Sequence, residues 1–116
     1  MYDYSTLDPG KLEYISVAGI DEIENGERLF VDIDDIPLVI FNIAGDFFAI
    51  QDECTHDHES LGDGELQGFR VTCPRHGAEF DVRNGKACTL PAVIDVPAYP
   101  TRIIAGKIEV GLPLDT

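Results

Sequence analysis

Two short segments carry residue types that bind metals. One reads Cys54-Thr-His56, the other Cys73-Pro-Arg-His76. Each supplies one thiolate and one imidazole, donors suited to transition metals. Sixteen residues separate His56 from Cys73. A Cys and a His two or three residues apart on a tight turn can converge at one end of it, and Pro74 and Gly77 suit such a turn. Zinc takes two Cys and two His tetrahedrally, which would make the chain a zinc-stabilised binding module. Zinc fingers, however, usually keep the two Cys close together and the two His close together, with a helix between. Here each pair is mixed.

The elements that must position these segments are short and extended. Leu12–Val17 alternates roughly. Arg28–Ile33 alternates cleanly, with Leu29, Val31 and Ile33 on one face and Phe30 on the other. Leu38–Ile43 and Phe47–Ile50 flank Ala44-Gly45-Asp46, a hairpin signal. Arg83-Asn84-Gly85-Lys86 contains Asn-Gly, the strongest short hairpin signal. Arg102–Ala105 and Ile108–Val110 flank Gly106-Lys107, a further hairpin. No long window keeps a helical period, and at most a short turn fits near Asp21–Asn25. Many short strands with close turns predict an all-β fold, a small antiparallel β-sandwich or barrel. There is no internal repeat or linker, so residues 1–116 read as one domain.

The two segments resemble the Rieske iron–sulfur motif, Cys-x-His followed by Cys-x-x-His. The resemblance runs from about residue 12 to 112 and includes Cys54-Thr-His56, Cys73-Pro-x-His76-Gly77, Phe80-Asp81, Gly85 and Leu90-Pro91-Ala92. It is greatest to the stand-alone Rieske ferredoxins that feed aromatic-ring dioxygenases. The resemblance implies a Rieske fold with cluster-binding loops near 52–62, 72–80 and 88–92. It implies a 2Fe-2S cluster, with Cys54 and Cys73 on a buried iron and His56 and His76 on the outer one. Two ferric ions, two sulfides and two thiolates sum to zero when oxidised and −1 when reduced, so one electron is stored at low electrostatic cost. Pro91 would lie in a third loop that shields the sulfides.

Subtraction narrows the type. High-potential Rieske proteins of respiratory chains carry a further Cys in each cluster loop, joined as a disulfide, where this chain has Glu59 and Arg75. In those relatives a Ser follows His-Gly and a Tyr lies two residues on, both donating hydrogen bonds to sulfur. Here the positions read Ala78 and Phe80. A Rieske oxygenase needs a second iron held by two His and a carboxylate. Of three His in this chain, only His58 remains after the cluster is supplied. No Gly-x-Gly-x-x-Gly opens a helix, so no flavin or nicotinamide site is expected. What remains is a non-enzymatic one-electron carrier. Its expected partners are a flavoprotein ferredoxin reductase and a terminal oxygenase. The alternative within the family is the small subunit of an assimilatory nitrite reductase, many of which lack the ligands present here.

Other residues read more plainly. Cys88 is expected to be a small buried residue in a strand-like stretch. His58, Asp57 and Glu59 are expected to be exposed loop residues. Phe41, Phe47, Phe48, Phe69 and Tyr99 are expected in the core or on sheet surfaces rather than around a substrate.

Apolar residues make up 44% of the 116, enough for one modest core. Twenty-two acids face eight Lys and Arg, for a net charge of −14. That excludes the basic face of a nucleic-acid binder and attraction to anionic lipid. The excess is uneven, since residues 21–65 hold fourteen acids and one base, Arg28. Asp52, Glu53, Asp57 and Glu59 are expected to give the tip an acidic side, and Arg75 a small basic one. No apolar run approaches the roughly 20 residues of a membrane span. The first ten residues, MYDYSTLDPG, lack a signal-peptide pattern, so a cytoplasmic location is expected. Three Cys are too few for a disulfide scaffold.

Overall fold

The computed structural model describes residues 9–53, 60–74, 77–90 and 94–114. Ten strands follow in chain order among them: β1 (Leu12–Gly19), β2 (Arg28–Ile33), β3 (Ile36–Ile43), β4 (Asp46–Gln51), β5 (Leu66–Gln67), β6 (Arg70–Thr72), β7 (Glu79–Asp81), β8 (Ala98–Tyr99), β9 (Thr101–Ile104) and β10 (Lys107–Pro113). They form three antiparallel sheets, ordered β1-β10-β9, β2-β3-β4-β8 and β5-β6-β7. The expected all-β architecture is what the chain adopts. The expected short turn is a single 3-10 turn at Ile20–Glu22. Among the described residues no helix is long and apolar enough to cross a membrane.

One hairpin turn is a residue shorter than expected, and another is shifted by one residue. Ile43 pairs with Asp46 and Ile104 with Lys107, so the loops are Ala44-Gly45 and Ala105-Gly106. All four residues have positive φ, between 51° and 91°. Such two-residue loops match the right-handed twist of the flanking strands, which draws Asp46 and Lys107 into the ladders. A third loop of this kind, Asp34-Asp35 (φ 50° and 67°), joins β2 to β3. It carries no glycine, so no residue type marks it in the sequence.

The Asn84-Gly85 turn forms, but its second strand does not. Beyond it a single bridge, Phe80 to Ala87, replaces a ladder. The Asp81 amide donates to the Lys86 carbonyl (2.9 Å) and the Cys88 amide to the Glu79 carbonyl (2.7 Å) across this bridge, while the Ala87 amide points away and donates to Asp95 (2.9 Å). Gly85 is required there, because its φ is +78° and a Cβ would lie 1.9 Å from the Val96 carbonyl oxygen.

β3 explains the unbroken apolar run in the sequence. Leu38, Val39, Ile40 and Phe41 are all buried, because both faces of this central strand are covered. Leu38 and Ile40 join Ala49, Tyr99, Ile108 and Val110 in one core. Val39 and Phe41 join Ile50, Leu61, Val71, Cys73, Ala78 and Phe80 in another. The second core fastens the small β5-β6-β7 sheet to the scaffold.

Candidate metal centre

Cys73 follows β6 directly. Its side chain is 1% exposed, it forms no disulfide, and it packs in the core with Leu61, Val71, Ala78 and Phe80. A tight turn begins there. The Cys73 amide donates to the Ala78 carbonyl at 2.6 Å, and the Gly77 amide donates to the Cys73 carbonyl at 3.0 Å. Gly77 has φ +76°, as the turn chemistry of the sequence suggested. The other expected ligands, Cys54, His56 and His76, lie outside the described residues, as do Asp57, His58, Glu59, Arg75, Pro91 and Ala92.

The stem of the first loop is held by a carboxylate. Asp52, just after β4, accepts the Leu61 amide (2.9 Å), the Gly62 amide (2.6 Å) and the Ser60 hydroxyl (3.0 Å) on Oδ1. Asp52 is half-buried and turned into the stem. These hydrogen bonds correct the expectation that it belongs to the acidic side of an exposed tip. Glu53 accepts a bond from Gln51 (3.2 Å), and Glu79 pairs with Arg70 (3.2 Å).

A cation closes the same stem from the other side. Arg28 Nη1 donates to the carbonyls of Gly62 and Gly64, and its guanidinium lies 5.2 Å from the Phe41 ring centroid. Neither Asp52 nor Arg28 was identified from sequence as a residue that shapes the site. The available signal was Arg28 itself, the one base among fourteen acids in residues 21–65.

The third segment is tied to the second. The Glu79 amide donates to Thr89 Oγ1 (2.9 Å), so residues 88–89 lie beside β7. Leu90 and Ile94, which flank residues 91–93, are 78% and 56% exposed. Cys88 is half-buried rather than buried, because the stretch it occupies is not a strand; its Sγ donates to the Lys86 carbonyl at 3.4 Å. Of the five aromatics, Phe41, Phe47 and Tyr99 are buried, and Phe69 stands edge-on to Phe48 at 5.7 Å.

Asp81, the last residue of β7, pairs with Arg83 at 2.8 Å. Burial pushes the Asp81 carboxyl up, but hydrogen bonds from the Arg83 side chain and amide outweigh it and hold the carboxyl below its ordinary value of 3.8. The same contact raises the Arg83 guanidinium.

The described part of the site suits a sulfur-ligated metal group. A thiol free of disulfide bonding sits in apolar surroundings, at a turn bonded across both ends, and the sequence offers two paired Cys-His segments as candidate donors. Among the described residues no three candidate ligands converge, since Cys73 is the one expected ligand they include.

Comparison with known proteins agrees. A family model described as the Rieske [2Fe-2S] domain matches residues 13–100. The ferredoxin subunit of 3-phenylpropionate/cinnamic acid dioxygenase from Escherichia coli (strain K12) is 36% identical over 100 residues, covering 85% of this chain and 93% of that protein. The ferredoxin of carbazole 1,9a-dioxygenase from Nocardioides aromaticivorans IC177 superposes with a TM-score of 0.80 at 28% identity, covering 84% of this chain and 95% of that one. A chain from a complex of reduced oxygenase and oxidized ferredoxin in carbazole 1,9a-dioxygenase gives a TM-score of 0.81 at 25% identity, covering 89% and 96%.

Proposed function

The chain belongs to the Rieske [2Fe-2S] domain family, and from that premise we propose that it is a one-electron carrier between a flavoprotein ferredoxin reductase and a terminal Rieske oxygenase. The observation that carries this reading is the 36% identity to a dioxygenase ferredoxin subunit across 93% of that subunit's length. A zinc-stabilised module is set aside, because the family match spans residues 13–100 and not only the ligand motif.

Cys54 and Cys73 would hold one iron and His56 and His76 the other. The Rieske cluster supplies reversible uptake of a single electron near neutral net charge. The protein's own part is to bury, orient and expose. Cys73 is sealed in the core beside Ala78 and Phe80, which keeps water from its sulfur. The bonded stems at Asp52, Cys73 and Thr89 fix where the ligand segments leave the scaffold. Exposed Leu90 and Ile94 give the third segment apolar flanks that a partner can cover. Residues 1–116 act as one domain, with loops near 52–62, 72–80 and 88–92 around the cluster. A cytoplasmic location fits the proposed exchange of electrons with soluble partners.

The direct test is anaerobic mixing. The protein, reduced by a flavoprotein reductase of a dioxygenase system, should transfer one electron per molecule to the oxidised oxygenase of that system. His56→Ala and His76→Ala should lose both the Rieske spectrum and the transfer. Unchanged spectra in both variants would show that these imidazoles are not ligands.

A further inference from the structure

We infer that Asp52 is a positioning residue for the cluster site, whose carboxylate closes the neck of the loop carrying Cys54 and His56. The inference rests on the ligand assignment proposed above. Asp52 stands two residues before Cys54, and Ser60, Leu61 and Gly62 stand just past the other end of that segment. One carboxylate therefore joins both ends. Oδ1 takes the amides of Leu61 (2.9 Å) and Gly62 (2.6 Å), and Ser60 Oγ lies 3.0 and 3.1 Å from the two oxygens. Consecutive amides aimed at one anionic oxygen form a small anion-binding nest, and bonds to a charged acceptor are the stronger kind.

The clamp is anchored on both sides. The Asp52 amide donates to the Pro37 carbonyl (2.8 Å), which fixes the carboxylate against β3. Gly62 is gripped twice, its amide by Asp52 and its carbonyl by Arg28. Gly64 then lies hard against Thr72, whose carbonyl oxygen would be 1.6 Å from any Cβ at that position. Thr72 immediately precedes Cys73. The neck of one ligand loop is thus registered against the strand that delivers a ligand of the other. A plain surface acid would not collect three donors while half-buried. Leu61 is fully buried, so its amide has no ready substitute acceptor once the carboxylate is gone.

The test compares cluster-loaded wild type with Ser60→Ala, Asp52→Asn and Asp52→Ala. Asn42→Ala serves as a control; it removes two bonds of a buried side chain, to the Ile23 carbonyl and from the Gly45 amide. Two readouts are taken well below the melting temperature: the reduced-state EPR spectrum, and the rate of cluster loss to an iron chelator followed by visible absorbance. Loss should quicken in the order Ser60→Ala, Asp52→Asn, Asp52→Ala, reaching roughly tenfold or more for the last. The g-values of both Asp52 variants should shift or broaden. Asn42→Ala should melt lower yet keep the wild-type spectrum and loss rate. If Asp52→Ala does not accumulate as folded protein, Asp52→Asn decides, since it retains an acceptor oxygen and loses the charge. Wild-type g-values in the Asp52 variants, with loss no faster than in Asn42→Ala, would overturn the inference alone. A wild-type protein with no Rieske signal would overturn the ligand assignment and this inference with it.

Discussion

Ala78 and Phe80 are fully buried in the same core as Cys73, and the Ala78 carbonyl accepts the Cys73 amide. Neither side chain can donate a hydrogen bond to sulfur. Donors of that kind favour the reduced, more negative state, so their absence lowers the potential. The wild-type potential should fall near the low end of the Rieske range, about −150 mV. Ala78→Ser combined with Phe80→Tyr should raise it, as redox titration followed by EPR would record. A wild-type value well above zero contradicts this reasoning. The residue scale is also where sequence spoke most clearly and then stopped. Cys73 lies where its motif implied, buried at a turn closed by Gly77. Asp52 and Arg28 were not legible as stem residues, because their partners are main-chain groups up to 36 positions away that carry no signature in residue type.

The turn from Asp81 to Gly85 shows how a single element constrains the site. The Gly85 amide donates to the Asp81 carbonyl (2.7 Å), and Arg83 Nη2 meets the Asp81 carboxylate while its guanidinium stacks 4.2 Å from the Phe69 centroid. Gly85→Ala should destabilise the protein by more than about 1 kcal/mol, since it combines positive φ with a backbone clash. Thermal melting of the cluster-loaded protein measures this. The acid response follows from Asp81. Its carboxyl titrates below 3.8 in the folded state, so its stabilising effect is present above that value and is lost as pH falls through the lower folded pKa. Arg83→Ala should move the Asp81 titration upward in an NMR carboxyl titration. The stability gap between this variant and wild type should shrink as pH drops below 3.8. At this scale strand existence was readable from alternation and glycine. The Asp34-Asp35 turn was not, because its positive φ is adopted without glycine. The missing strand after Gly85 was also hidden, because a side chain, Thr89, accepts the Glu79 amide that a paired Cys88 carbonyl would have taken.

Across the whole molecule the charge is the dominant long-range feature. The net charge is −14, and residues 21–65 contain fourteen acids and one base. That base, Arg28, is spent inside the loop stem, so this half of the chain presents almost unrelieved negative charge. An acidic carrier is steered toward partners with basic docking patches, and steering weakens as salt screens it. Second-order electron-transfer rates with reductase or oxygenase should therefore fall as ionic strength rises. Arg75→Glu should change the apparent affinity for at least one partner more than Lys107→Glu, an exposed position in β10. Arg102 is the poorer control, because it pairs with Glu109 (2.8 Å) and stacks on Tyr14 (3.8 Å). Rates that are flat or rise with salt would mean the acidity serves solubility instead.

The central claim is that two Cys and two His hold a redox-active iron–sulfur cluster. Its most direct measurement is the EPR spectrum of the dithionite-reduced wild-type protein. The expected result is a brown-red oxidised protein that gives, on reduction, a rhombic signal with an average g below the free-electron value, abolished in His76→Ala. A colourless, correctly matured protein that contains zinc and gives no signal on reduction would contradict it.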